Sequence, residues 1–303
     1  MRIVTTVGAL REALGSARHA GQRIGLVPTM GAFHDGHLSL MRRAREECDV
    51  VVVSLFVNPA QFDDPRDLDV YPRDAEHDAD LAAACGVDLL FSPTPSEVYP
   101  AGFATRVSVE GLTERLEGAS RGAGHFTGVT TVVTKLLNMV GPDVAYVGQK
   151  DAQQAIVIRR LVRDLDLPVA ITVCPIVRDP DGLALSSRNA HLSASERERA
   201  LVLARALATV AAAVRAGERD PHTATAAARS AVIAAGAELE YLELVDPDTL
   251  VPVPEIDGEV TVVIAARVGA TRLIDNTVIE PLTSATGTPN TGPPAATAPP
   301  GRT

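Results

Sequence analysis

Two histidines three residues apart, a lysine just past a glycine and an arginine behind two serines are the groups of this chain best suited to handling a polyphosphate. The histidines are His34 and His37, in residues 28–40, PTMGAFHDGHLSL. An apolar run (Ile24, Leu26, Val27) precedes them and a helical pattern (Leu38, Met41, Ala44, Cys48) follows. This predicts a strand, a tight turn bracketed by Gly31 and Gly36, and a helix starting near Gly36. The first N–H groups of a helix lack intrahelical partners and carry the positive end of its dipole, which suits a phosphate. Residues i and i+3 share a helix face, so both imidazoles could meet that ligand. A neutral imidazole donates one hydrogen bond and gains charge when an anion stabilises it. The dipole supplies only about 0.3–1 kcal/mol, so direct hydrogen bonds must carry the binding. Two solvated histidines or a zinc pair are the competing readings. No nearby Cys, His, Asp or Glu completes a zinc set and H-E-x-x-H is absent, so no metal ligand is assigned.

A second constellation is Gly148-Gln149-Lys150-Asp151, followed by Gln153 and Gln154. Lys150 at a helix start could reach phosphates, although a polar first turn on a surface helix has the same appearance. A third is Leu185-Ser186-Ser187-Arg188, after an Asp-Pro-Asp-Gly turn. Its hydroxyls and guanidinium can grip phosphates bidentately, or the serines can merely cap an interdomain loop. Gln61, in Asn58-Pro-Ala-Gln61-Phe62, offers donors and an acceptor to a substrate bearing hydroxyl and carboxylate groups. Residues 124–128, GHFTG, read as a loop before an apolar helix containing Lys135, with His125 a packed loop histidine. The chain lacks G-x-x-x-x-G-K-[ST] and a G-x-G-x-x-G after a strand, which excludes the commonest phosphate signatures.

The elements that must position these groups alternate. Strands are expected at 24–27, 50–57, 88–91, 143–147 and 168–177, with helices from about 36 to 47, at 74–84, 129–140 and 152–164. The 50–57 run is continuously apolar, as in a strand buried on both faces of a parallel sheet. The pattern predicts an α/β fold with a doubly wound, Rossmann-like parallel sheet and ligands at the carboxyl ends of its strands. After Arg188 the texture changes. Ser193-Ala-Ser-Glu196 is a capping box opening an alanine-rich helix to about residue 216. A second helix (222–235) and strands at 239–245, 260–268 and 272–279 complete a smaller C-terminal α+β domain. The expected division is 1–176, 177–281 (a lid) and a Pro/Thr/Ala-rich disordered tail at 282–303.

A chain of 303 residues that is 46% hydrophobic can fill two cores, and its net charge of −10 with no basic tract argues against nucleic acid. An anionic ligand therefore needs a local positive pocket. Cys48, Cys85 and Cys174 form no C-x-x-C and read as reduced thiols of a cytoplasmic protein. The N-terminus has no signal-peptide pattern and no apolar run could span a membrane.

Taken together, PTMGAFHDGH, FVNPAQF, YPRD, GHFTGV with TVVTKLLN, GQKDAQQ and LSSRN resemble, in order and spacing, the pantoate–β-alanine ligase family. The likeness covers residues 1–280, and His34-Asp-Gly-His37 matches the H-x-G-H signature of the nucleotidyltransferase superfamily. The resemblance implies that pantoate attacks the α-phosphate of ATP, giving pantoyl adenylate and pyrophosphate. The amine of β-alanine then attacks the acyl carbon to release AMP. It further implies an ATP site of Met30, Gly31, Ala32, Phe33, His34, Asp35, Gly36, His37, Gly148, Gln149, Lys150, Asp151, Val177, Leu185, Ser186, Ser187 and Arg188. His34, His37, Lys150 and Arg188 are its catalytic members, with His37 the expected acid. Gln61 and Gln154 would hold pantoate, with Gln61 also near β-alanine. Mg²⁺ would ride on phosphate oxygens and water, and a homodimer is expected. Gln149 replaces a common glutamate, Leu185 a common methionine, and residues 121–125 are one residue longer than usual. Another nucleotidyltransferase, or an inactive nucleotide-binding homologue, are the alternatives; the first leaves Gln61 and Gln154 unexplained, the second the retained charged groups.

Overall fold

A computed structural model describes residues 1–280. The tail expected at 282–303, and residue 281 of the expected second domain, lie outside the described residues.

Six strands form one parallel sheet: β1 (Arg2–Val4), β2 (Ile24–Thr29), β3 (Val50–Leu55), β4 (Leu89–Phe91), β5 (Val144–Gly148) and β6 (Ala170–Cys174). Their order is β1-β4-β3-β2-β5-β6. Side chains that alternate along the strands feed two cores, one on each face. Ile24, Leu26, Val52, Phe91, Ala145 and Val147 pack with Leu10 and Leu14 of the helix Val7–His19 and with the helices Ala123–Val140 and Ala152–Asp164. Val27, Val51, Val53, Leu90, Val144 and Tyr146 pack on Leu38, Met41 and Ala44 of the helix Asp35–Glu47, and on Ala82 of Ala75–Ala84. Helices on both faces make the sheet doubly wound, as the alternation predicted.

The order of strands reverses between β2 and β5. β2 pairs with β3 along its whole length, from Ile24–Val50 to Thr29–Leu55, but with β5 only at Gly25–Val144 and Leu26–Ala145. The carboxyl ends of β2 and β5 therefore part, and a crevice opens where an α/β sheet usually takes its ligand.

The C-terminal part is an antiparallel sheet, β7 (Glu238–Val245), β8 (Val260–Val268) and β9 (Thr271–Ile279), covered by the helices Val202–Arg215 and Pro221–Ala234. Val262, Ile264 and Ala266 face those helices, while Val263 joins Leu112, Leu116, Phe126 and Val157 in an apolar contact with the parallel-sheet region.

Several expectations shift. The helix expected at 129–140 begins at Ala123, so GHFTG is helical and His125 lies in its first turns, not in a loop. Its glycines serve close packing: a Cβ on Gly128 would lie 2.2 Å from the Ala60 carbonyl oxygen, in the short turn Pro59–Gln61. The helix expected from Ser193 to about 216 is two, Ala194–Ala200 and Val202–Arg215, though Ser193 and Glu196 do form the capping box. β1 and the short helices Pro65–Asp69, Pro95–Val98 and Glu117–Arg121 carry too little periodicity to be seen.

Candidate active site

The crevice between the ends of β2 and β5 opens into a cleft of about 1230 Å³ that runs beneath the antiparallel sheet. Met30, His34, Gly36 and His37 reach it from the end of β2, Gly148, Lys150, Asp151 and Gln154 from the end of β5. Val177, Leu185, Ser186, Ser187 and Arg188 reach it from the segment joining the two sheets, and Gln61 from the turn after β3. Residues from four separate stretches of sequence thus face one space. Gly31, Ala32, Phe33, Asp35 and Gln149 do not line it.

His34 is the N-cap of the helix Asp35–Glu47, and its Nδ1 accepts the Gly36 N–H at 3.1 Å. His37 Nδ1 accepts the His34 N–H at 3.4 Å, closing a reciprocal box. Because each Nδ1 accepts, each neutral ring carries its proton on Nε2. Burial pushes His37 down to about 3, helped by His34. Burial and the nearby Lys150 ammonium lower His34. Both imidazoles are therefore neutral near pH 7 before any anion arrives.

The turn itself differs from the expected phosphate cradle. The N–H groups of Ala32 and Phe33 donate to the two carboxylate oxygens of Asp78, at 2.9 and 2.7 Å. The Gly36 and His34 N–H groups go to the two rings, and the His37 N–H to the His34 carbonyl. These five backbone donors of the loop are consumed internally, which leaves most of the gripping to side chains.

Two cations are free to do so. Lys150 Nζ and the Arg188 guanidinium have no ion-pair partner among the described residues. Burial lowers Arg188, with Arg121 adding repulsion. The backbone under Lys150 is fixed by Asn276 of β9, whose Nδ2 donates to the carbonyls of Gln149 and Lys150 at 2.9 and 3.0 Å. Gln149 donates its own amide to Asn276 Oδ1, so its side chain ties the two sheets together. Ser186 Oγ accepts the Arg188 N–H as an N-cap, Ser187 is exposed, and the Val177 carbonyl accepts the Leu185 N–H.

Gln61 is held by its neighbours. Asn58 Nδ2 donates to Gln61 Oε1 at 2.9 Å and to the Gly128 carbonyl, while Tyr99 donates to Asn58 Oδ1. The Gln61 carbonyl meets His125 Nδ1 at 2.9 Å. This leaves the Gln61 NH₂ as a donor beside the apolar wall of Val129, Val132, Val133 and Leu136.

Opposite lies a network that sequence reading missed. Glu117 accepts two bonds from Arg272 of β9 (2.7 and 2.8 Å), one from Arg121 and one from the Tyr241 hydroxyl. Burial alone would raise the Glu117 carboxyl, but these donors hold it at about 2. Gln153 pins the backbone of this segment through the Glu117 N–H and the Leu112 and Arg115 carbonyls. The Arg121 contact of Glu117 is a local i,i+4 pair, but Arg272 lies 155 residues from Glu117 and the partners of Asp78 lie 45 and 46 residues away, so local spacing does not mark either network. Asn58 could have been found, three residues before Gln61 in the same short motif.

Residues 2–278 match the family model described as pantoate-beta-alanine ligase. A pantothenate synthetase of Moorella thermoacetica is 52% identical over 281 residues, 92% of this chain and 99% of that one. One of Cereibacter sphaeroides is 53% identical over 275 residues, 90% and 98% of the two chains. Pantothenate synthetase from Thermus thermophilus superposes with a TM-score of 0.87 at 47% identity, over 93% of this chain and all of that one. A pantoate-beta-alanine ligase of Francisella tularensis, complexed with beta-gamma ATP and beta-alanine, gives 0.74 at 36% identity, over 92% and 97%.

Proposed function

The chain belongs to the pantoate–β-alanine ligase family, and on that premise we propose that its cleft joins pantoate to β-alanine through a pantoyl adenylate. The observation that carries this reading is the convergence of two unpaired cations, two neutral imidazoles and an amide beside an apolar wall on one cleft. In the first step a pantoate carboxylate oxygen bonds to the α-phosphorus of ATP and the bond to the pyrophosphate oxygen breaks. In the second, the β-alanine nitrogen bonds to the acyl carbon, AMP leaves with the acyl–phosphate electron pair, and the amine sheds a proton. Neither step calls for a protein nucleophile; catalysis is alignment and charge stabilisation.

The Nε2–H groups of His34 and His37, Lys150 Nζ, the Ser187 hydroxyl and Arg188 are assigned to the phosphates, with His37 the proton donor as pyrophosphate leaves. Met30, Gly36, Gly148, Asp151, Val177 and Leu185 line the rest of the nucleotide site, and Gly31, Ala32, Phe33, Asp35 and Gln149 shape it from behind. Gln61 and Gln154 take the carboxylate and hydroxyls of pantoate, with the valine wall against its methyl groups; Gln61 also lies toward β-alanine. No group of three or more His, Cys, Asp or Glu side chains among the described residues could hold a metal. Mg²⁺ is accordingly assigned to ATP oxygens and water, where it offsets phosphate charge. Residues 1–176 are assigned to nucleotide and pantoate binding, and 177–281 to a lid. The family resemblance is the support for a homodimer and a cytoplasmic location; no helix among the described residues is long and apolar enough to cross a membrane.

The test is product release. With ATP, Mg²⁺, pantoate and β-alanine the protein should yield AMP and pyrophosphate, and omission of pantoate should abolish pyrophosphate. ATP turnover indifferent to pantoate would overturn the reading.

A further inference from the structure

The turn between β2 and the His34 helix follows an unusual path. Gly31 has φ +92° and Ala32, which is not glycine, has φ +53°. An alanine in the left-handed region is strained, so something must hold it there. The holder is visible. Asp78 lies on the helix Ala75–Ala84, is 1% exposed and has no ion-pair partner among the described residues. Each of its carboxylate oxygens takes one N–H from the turn, Ala32 at 2.9 Å and Phe33 at 2.7 Å. The dependence is mutual, because a buried carboxylate without donors is costly and a left-handed alanine without a restraint relaxes. The next residue after these two is His34, whose ring caps the following helix and adjoins His37.

We propose that Asp78 is a positioning residue for the reaction: it clamps the Ala32–Phe33 peptide from outside the cleft and so fixes His34 and His37 where the phosphates of ATP must lie. The assignment of the loop to ATP rests on the function proposed above; the clamp itself does not. Asp78 contacts no substrate. It fills the loop's own anion-binding concavity with a carboxylate, which leaves the imidazoles to face the phosphates.

The test uses the full chain and Asp78→Asn, which retains one acceptor but turns a donor on the other N–H. Loss of one bond to a charged group predicts that KM for ATP rises about ten- to a hundredfold. kcat should fall with it, while KM for pantoate stays unchanged. Ala32→Gly, which removes the conformational cost at that position, should recover part of the loss in the Asp78→Asn background. If Asp78→Asn fails to fold, Gly31→Ala attacks the same contact from the loop: its Cβ would lie 2.8 Å from Asp78 Oδ2 and 2.7 Å from Leu55 Cδ1. It should give the same ATP-selective defect. Independently of turnover, ¹⁵N–¹H spectra of histidine-labelled, ligand-free protein should show His34 and His37 as Nε2–H tautomers. Asp78→Asn should shift both signals and Ala32→Gly should restore them. Unchanged His34 and His37 signals, or a defect spread equally over ATP and pantoate and not rescued by Ala32→Gly, overturn the clamp. A wild-type protein with the predicted spectra but no pantoate-dependent pyrophosphate release overturns the proposed function instead.

Discussion

The rings of His34 and His37 lie 4.2 Å apart, centroid to centroid, and each accepts a backbone N–H through Nδ1. One helix start thus sets the tautomer of both side chains. What remains to each ring is a single Nε2–H donor, available to a ligand without any change of protonation. A phosphate arriving there supplies the negative charge that burial withholds, and raises the affinity of the rings for protons.

Acid should weaken the free protein through this pair. His37 sits near 3 when folded against 6.5 as its ordinary value, so between those pH values the unfolded chain binds the extra proton. Stability is then fully present above about 6.5 and declines as the pH falls toward 3. Thermal melts at stepped pH should show the decline, and His37→Gln should flatten it. ATP binding near pH 6 should take up protons, measured by calorimetry in buffers of different ionisation enthalpy.

Removing one preorganised donor should cost rate more than folding. His37→Ala and Lys150→Ala are each expected to lower kcat about 10²–10³-fold, as loss of a single transition-state donor does. Steady-state pyrophosphate release measures this. A variant with a near-normal rate would leave the catalytic set.

Arg188 should show the opposite balance between stability and activity. Its half-buried guanidinium makes no direct ion pair among the described residues; burial and repulsion from Arg121 lower it, and the more distant Asp151 and Glu117 offset them only in part. Arg188→Met keeps much of the packing and removes that repulsion. It should raise Tm by roughly 2–4 °C, equivalent to about 1 kcal/mol, while activity is lost. Calorimetry and turnover on the same sample decide it.

The Glu117–Arg272 pair bridges the parallel-sheet region and β9 with side chains 9% and 12% exposed. Breaking the pair from one side leaves Arg272 with Glu240 alone, or Glu117 with only Arg121 and the Tyr241 hydroxyl, so Glu117→Ala or Arg272→Ala should each cost up to about 3–5 kcal/mol in urea unfolding. The double variant should cost much less than the sum, because neither charge is left alone. Additive losses would show that the two act separately.

How much of this is legible in the sequence follows from what each feature depends on. The strand–turn–helix units, their order and the groups at their carboxyl ends are readable, because each is written in a short apolar period ending at a polar or turn-forming stretch. The loop at Gly148 stands out at such a strand end, and the Leu185–Arg188 segment by its hydroxyls and guanidinium after a turn. The start of the helix Ala123–Val140 is hidden because Gly124 and Gly128 look like loop residues in sequence, whereas Gly128 is there to let the helix touch Ala60. Asp78 and Glu117 are invisible because their chemistry is tertiary: each is an ordinary acidic residue until the fold brings it donors from far along the chain. That the Ala32 and Phe33 N–H groups are taken by Asp78 is hidden for the same reason, since nothing local shows it.

The narrow β2–β5 pairing bears on how the molecule carries load. β2 is joined to β3 along its full length but to β5 only at Gly25 and Leu26, so the sheet is two plates joined by a short seam. Pulled apart across the sheet, it should part first along that line, at the proposed nucleotide site. A nucleotide bridging the β2 loop and Lys150 would act as a staple across the weakest joint, so the loaded enzyme should resist mechanical unfolding more than the empty one.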